Sequence, residues 1–170
     1  MIKKIYIDMD GVLADFDRGV EDLCGVARPE PGKPRTKEND DLMWERIKTV
    51  ENFYDKLEPM AGAVEMFSKL WEQFGDRVEI LTGIPSPKRG ILTAGDDKEK
   101  WAHRMLNNNL KVNIVYRKDK VNFCKGKDYI LIDDLIKNTE EWEAAGGTAI
   151  HHENPEKTLA KIEHLQKIGS

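Results

Sequence analysis

The chain of 170 residues is short of several things at once. It has only two cysteines, Cys24 and Cys124, far apart and without a nearby cysteine or histidine ligand pattern. That excludes a disulfide scaffold and a zinc ribbon, and two reduced thiols fit a cytosolic protein. It has no apolar run near the roughly 20 residues that a membrane span needs. It has no excess of positive charge: the formal net charge is −4, which argues against a generally basic surface for a nucleic-acid polymer. Lys3 and Lys4 lead straight into a strand, without the h-region and cleavage site of a secretory signal. A cytoplasmic location is therefore expected. No internal repeat is present, and low complexity is confined to one Pro-rich stretch.

What is present is an ordinary globular profile, 39% hydrophobic and 34% charged, able to bury one core. Five short apolar runs read as strands: "IYID" ending at Asp8, then Arg77 to Gly83, Leu110 to Arg117, Asp128 to Asp134 and Gly147 to His152. Helical patterns separate them. Val64, Phe67, Trp71 and Phe74 recur at helical spacing between Pro59 and Gly75. Trp101, Met105 and Leu106 share one side of another helix, and Asn154-Pro155 reads as an N-cap and first turn ahead of Leu159, Ile162, Leu165 and Ile168. Apolar strands alternating with helices predict an α/β fold: a Rossmann-like parallel sheet of about five strands, flanked by helices on both faces.

One stretch breaks the alternation. A helix through Phe16, Val20 and Leu23, the loop "RPEPGKPRTKEND" and a helix through Met43, Ile47 and Val50 contain no strand. Residues 15–57 are therefore expected to form a small helical cap inserted after the first strand, with 1–14 and 58–170 as the α/β core.

In open parallel sheets ligands bind beyond the carboxyl ends of the strands. There the pattern places Asp8 and Asp10, Thr82 and Gly83, Arg117, Lys118 and Lys120, and Asp133 and Asp134. Four carboxylates on one rim need a counter-charge, and a hard divalent cation such as Mg²⁺ supplies one through oxygen ligands. Asp8 could then attack phosphorus, Asp10 could move the protons, and Thr82 with a lysine could hold the phosphoryl oxygens. Gly11 would let the chain turn away sharply. Two acids after a strand are also common solvated loop residues; the second pair, at Asp133-Asp134, is what tells against that. His151 and His152 point to opposite faces of a strand and read as structural; Lys88 and Arg89 read as solvated; the tryptophans other than Trp44 read as core.

"DMDGV", "ILTG", "RKDK" and "LIDD", in that order, resemble the four motifs of the haloacid-dehalogenase-like phosphohydrolases. "DMDGVLADF" and "ENFYDKLEPMAGAVE" narrow the resemblance to the 5′(3′)-deoxyribonucleotidase branch, over most of the chain from Ile5 to about Asp134. The resemblance implies an Mg²⁺-dependent phosphomonoesterase with a small-molecule phosphate ester, a nucleotide, as partner; a homodimer is compatible with it. It implies that Asp8 is nucleophile and metal ligand, and that Asp10 is general acid/base and ligand through its backbone carbonyl. Thr82, Gly83 and Lys120 would bind phosphate, Asp134 and Asp133 would serve the metal, and Phe16 would contact the nucleotide in the substrate pocket. Lys100 matches a family position there and reads equally as a surface residue, and Trp44, from its place in the cap, would either line the substrate pocket or pack against Phe16. The chain also departs from that branch. Gly83 stands where a serine is usual, the spacing from Lys120 to Asp133 is longer, and the aromatic-bearing cap segment is shortened. The same chemistry on a sugar phosphate, or a phospho-accepting regulatory domain, are the competing expectations. The early acid pair and the cap favour a phosphatase over the latter.

Overall fold

The computed structural model describes residues 1–169. Its centre is a five-stranded sheet in the order β3-β2-β1-β4-β5, with β1 (Lys4–Ile7), β2 (Val78–Gly83), β3 (Val112–Val115), β4 (Tyr129–Asp133) and β5 (Thr148–His151). Every pair is parallel, in registers that set Ile7 beside both Ile80 and Ile132. Four of the five strands fall inside the runs expected from the sequence, and β1 starts one residue earlier than its run, at Lys4. Side chains alternate between two faces, as strand geometry demands. Ile5, Ile7, Ile80, Ile130 and Ile132 point into the main core, while Tyr6, Leu81 and Leu131 pack on Trp142 on the other side.

The helices are α1 (Phe16–Gly19), α2 (Lys37–Thr49), α3 (Ala63–Phe74), α4 (Ala94–Met105), α5 (Ile136–Ala144) and α6 (Pro155–Ile168). Their ends follow local chemistry. Asp15, Thr36 and Asn154 accept backbone N–H bonds from the first turns of α1, α2 and α6. Among the described residues no helix is long and apolar enough to cross a membrane.

The segment 15–57 leaves and rejoins the sheet at a narrow neck: Asp15 N–H donates to the Glu58 carbonyl and Met60 N–H to the Leu13 carbonyl, both at 2.8 Å. Beyond the neck it shares the main core, because Val20, Met43, Ile47, Phe53 and Tyr54 belong to the same buried cluster as Ile5 and Ile7. One detail departs from the expected periodicity. After α1 the chain widens into a π-helical turn over Val20–Cys24, which Gly25 ends in the left-handed region. The wider turn shifts the inward position by one residue, so Cys24 is buried and Leu23 faces solvent.

Candidate active site

β1 and β4 lie side by side at the centre of the sheet, where the strand order reverses, and both lead into acids: Asp8 follows β1, and β4 ends in Asp133 with Asp134 next. Asp8 continues the ladder through its N–H to the Ile132 carbonyl at 2.9 Å. The chain then folds back on itself: the N–H groups of Val12, Leu13 and Ala14 all reach the Met9 carbonyl. Gly11 makes this turn at φ +83°, and a Cβ there would lie 2.1 Å from Asp134 Oδ2. The glycine therefore both permits the turn and admits the Asp134 carboxylate beside the first loop.

Oxygens of Asp8, Asp133 and Asp134 lie within 4.8 Å of one another. Lys120 is buried among them and donates to Asp8 Oδ1 at 2.8 Å and to Asp133 Oδ2 at 2.9 Å. Burial works against the charge on Lys120, but Asp8 and Asp133 outweigh it and hold its pKa above the ordinary lysine value. Asp133 also accepts from Leu135 N–H and from Asn138 Nδ2, so most of its acceptor capacity is taken and it braces the site. Burial, then the Asp8 charge, raises its pKa. The Asp134 carboxyl has fewer partners: it meets Asp8 and its own backbone N–H. The protein packed around that carboxyl, then the charges of Asp8 and Asp133, push it up to about 8.

A second lysine completes the arrangement, and it is not the one expected. Lys98 on α4 is fully buried and spends its three N–H donors on Asp10 Oδ2 (2.9 Å), Thr82 Oγ1 (2.8 Å) and the Gly83 carbonyl (2.8 Å). The ring of Tyr54 covers it at 4.7 Å. Lys100, expected at the substrate pocket, is exposed. Two residues along a helix turn the side chain through about 200°, so one of the two lysines faces the site and the other faces water. The signal was present: Lys98 falls on the buried stripe of Ala94, Trp101 and Ala102.

Asp10 Oδ1, by contrast, is buried without a hydrogen-bond partner among the described residues. Asp10, Gly11 and Asp134 line one pocket of about 300 Å³ together with Asp15, Phe16, Asp17, Arg28 and Met60. Phe16 thus lines the same pocket as Asp10 and Asp134. Trp44 is not among the lining residues; it packs behind Phe16, ring centres 6.1 Å apart, with Phe53 and Tyr54 on the ring's other sides. Arg89 also departs from expectation: it pairs with Asp41 at 3.0 Å and Asp40 at 3.7 Å on α2, partners too distant in sequence to foresee. His152 is buried against Thr158 Oγ1 and His151 meets the Asp134 carbonyl, so neither forms a metal pair. Lys118 is exposed, whereas Lys120 is buried.

Charge decides what the cluster suits. Four carboxylates (Asp8, Asp10, Asp133 and Asp134) face two ammonium groups (Lys98 and Lys120), which leaves two negative charges uncompensated when all are ionised. A divalent cation with oxygen ligands balances that remainder, and the open Asp134 and the second oxygen of Asp8 fit it best.

No family model matches the chain. It is similar to the human mitochondrial 5′(3′)-deoxyribonucleotidase, 27% identical over 175 residues, covering 89% of this chain and 72% of that protein. It is also similar to a putative 5′(3′)-deoxyribonucleotidase of Vibrio phage KVP40, 29% identical over 142 residues, covering 79% and 67%. Among solved structures it resembles a haloacid-dehalogenase-family hydrolase from Deinococcus radiodurans R1 with bound phosphate and sodium, at a TM-score of 0.55 and 14% identity, covering 91% and 84%. The chain has the fold of the haloacid-dehalogenase-family hydrolases, and in sequence it resembles the 5′(3′)-deoxyribonucleotidases.

Proposed function

We propose that the protein is a metal-dependent phosphomonoesterase that works through an aspartyl-phosphate on Asp8 and releases phosphate from deoxyribonucleoside monophosphates. The observation that carries this reading is the division of labour between Asp8 and Asp10. Each has one oxygen fixed by a buried lysine; beyond that, Asp10 keeps Oδ1 without a hydrogen-bond partner among the described residues, while Asp8 meets the Asp134 carboxyl.

Asp8 Oδ1 is held by Lys120, so its other oxygen attacks phosphorus. The bond from phosphorus to the ester oxygen breaks, and Asp10, protonated at Oδ1, delivers that proton to the leaving oxygen. Asp10 then takes a proton from water as the water attacks the aspartyl-phosphate. The Asp8–phosphorus bond breaks, and inorganic phosphate and the free carboxylate are restored. Lys98, Lys120 and Thr82, buried against Asp10 and Asp8, would exchange donors from those partners to the phosphoryl oxygens and stabilise their charge. Asp8, Asp134 and the Asp10 carbonyl, braced by Asp133, would hold Mg²⁺, which when bound neutralises charge shared between carboxylates and phosphate. The half-buried Phe16 ring, backed by aromatic neighbours, supports a planar base as the leaving group's far end. Residues 15–57 would act as the cap that covers it.

The test is phosphate release from deoxy- and ribonucleoside monophosphates and sugar phosphates, with Mg²⁺ and with chelator. Deoxynucleotides are expected to turn over fastest, only with metal, and Asp8→Asn is expected to abolish turnover. Hydrolysis by Asp8→Asn at the wild-type rate would sink the mechanism, and turnover of sugar phosphates alone would overturn the substrate.

A further inference from the structure

The pocket beside Asp10 carries groups that phosphate chemistry does not use. Arg28, on the Pro-rich loop, gives only its Nε to Glu21, which leaves both terminal nitrogens without a hydrogen bond among the described residues. Asp17 accepts from Arg35 on Oδ1 at 3.2 Å, and its second oxygen has no hydrogen bond among the described residues. Both residues line the pocket with Phe16, whose ring is held by Trp44, Phe53 and Tyr54. A fork of two donors, a carboxylate acceptor and a fixed aromatic face therefore meet in one cavity, next to the phosphoryl end at Asp10 and Asp134.

We propose that this pocket reads the base, and that Arg28 and Asp17 select guanine. The assignment rests on the nucleotidase reading above. Of the four bases, guanine presents two adjacent acceptors, O6 and N7, which suit the planar guanidinium fork. Its N1–H and 2-amino group are two adjacent donors, which suit a carboxylate. Adenine would turn its 6-amino donor toward the donors of Arg28. Pyrimidines lack the paired acceptors of the purine edge. Phe16 supplies stacking to any base and so does not discriminate. The shortened cap thus exchanges aromatic grip for a charged edge reader.

The experiment measures kcat/KM of the metal-loaded protein for the monophosphates of deoxyguanosine, deoxyinosine, deoxyadenosine, deoxycytidine and thymidine, with p-nitrophenyl phosphate as a base-free ester. Deoxyguanosine monophosphate should lead by about tenfold or more, the scale of one bidentate contact. Deoxyinosine, which lacks the 2-amino group, should fall between it and the others. Arg28→Ala and Arg28→Lys should both bring the guanine-to-thymine ratio toward one, chiefly through KM, because lysine keeps the charge and loses the fork. Preference for another base, or an unchanged ratio in both variants, overturns the assignment. Cleavage of p-nitrophenyl phosphate with no nucleotide turned over overturns the nucleotidase reading itself, and is distinct from a wrong base.

Discussion

At the scale of single residues, two buried lysines set the poise of the site, and they do different work. Lys120 bridges Asp8 and Asp133, while Lys98 ties Asp10 to the end of β2. Replacing Lys98 by methionine keeps length and apolar bulk but leaves Asp10 Oδ2 and Thr82 unserved. Turnover should fall about 10²- to 10³-fold, as when one fixed donor is lost from a charged transition state. Lys100→Ala should leave rate and stability near wild type, since its side chain lies in water. Steady-state rates of the two variants decide; equal losses would mean that the exposed lysine also reaches the substrate. The four acids were legible from their places at strand ends. Lys98 was legible only through its place on the buried stripe of its helix, because family spacing pointed to a lysine two residues away and only helix rotation separates them.

Asp134 makes a prediction of its own. Its pKa is raised from an ordinary 3.8 to about 8, so between those values the metal-free native state holds a proton that the unfolded chain has lost. The folded state binds more protons, and this group's contribution to stability therefore falls as pH rises through that window. A metal must displace the same proton, so Mg²⁺ should bind more tightly as pH approaches about 8 and raise Tm more there than near pH 6. Thermal melts with and without Mg²⁺ at the two pH values measure it. An equal gain at both would remove Asp134 as the titrating ligand.

At the scale of elements, α4 is the piece that joins the inserted segment to the chemistry. Three of its residues grip the returning chain at helical spacing: Asp97 accepts from Asn52, Trp101 Nε1 donates to the Leu57 carbonyl, and Arg104 binds the Asp55 carbonyl and carboxylate. Lys98 projects into the site beside them. Residues 52–57 are thus pinned to the helix that carries Lys98, and any movement of the cap over the pocket has to come from the chain before Asn52, which itself sits in the left-handed region at φ 53°. Asp97 is buried and takes bonds from Asn52 and Thr93. Asp97→Ala would strand both donors and should cost about 1–3 kcal/mol, read from chemical denaturation. It should also slow turnover by loosening Lys98; a variant that loses stability at full activity would mean that the tether does not position the lysine. Strand and helix positions were readable because burial imposes a period. The tethers and the Arg89 pairs were not, because a polar contact across tens of residues leaves no periodic trace.

At the scale of the whole molecule, the question is whether the insertion is a separate unit. Sequence reading separates 15–57 from the rest on composition, since that stretch lacks strands and holds the Pro-rich loop. Packing joins them: Val20, Met43 and Ile47 sit in one apolar cluster with Ile5, Ile7 and Ile80 of the sheet, and Arg89 clasps α2 to the loop after β2. An insertion that shares the core cannot open fully without exposing apolar surface on both sides, so global unfolding should be one cooperative step. Tryptophan positions allow the check. Trp44 lies on α2, whereas Trp142 lies under the opposite face of the sheet, in the cluster with Tyr6 and Leu131. Two variants, each keeping one of these tryptophans and replacing the other three by phenylalanine, would report the two regions separately by fluorescence. Their denaturation curves should give the same midpoint once each is set against the same variant's far-ultraviolet circular dichroism. If Trp44 is exposed at clearly lower denaturant than the loss of helix and sheet, the insertion is an independently melting cap. The shared core would then contribute less to holding it down than the clasp and the neck.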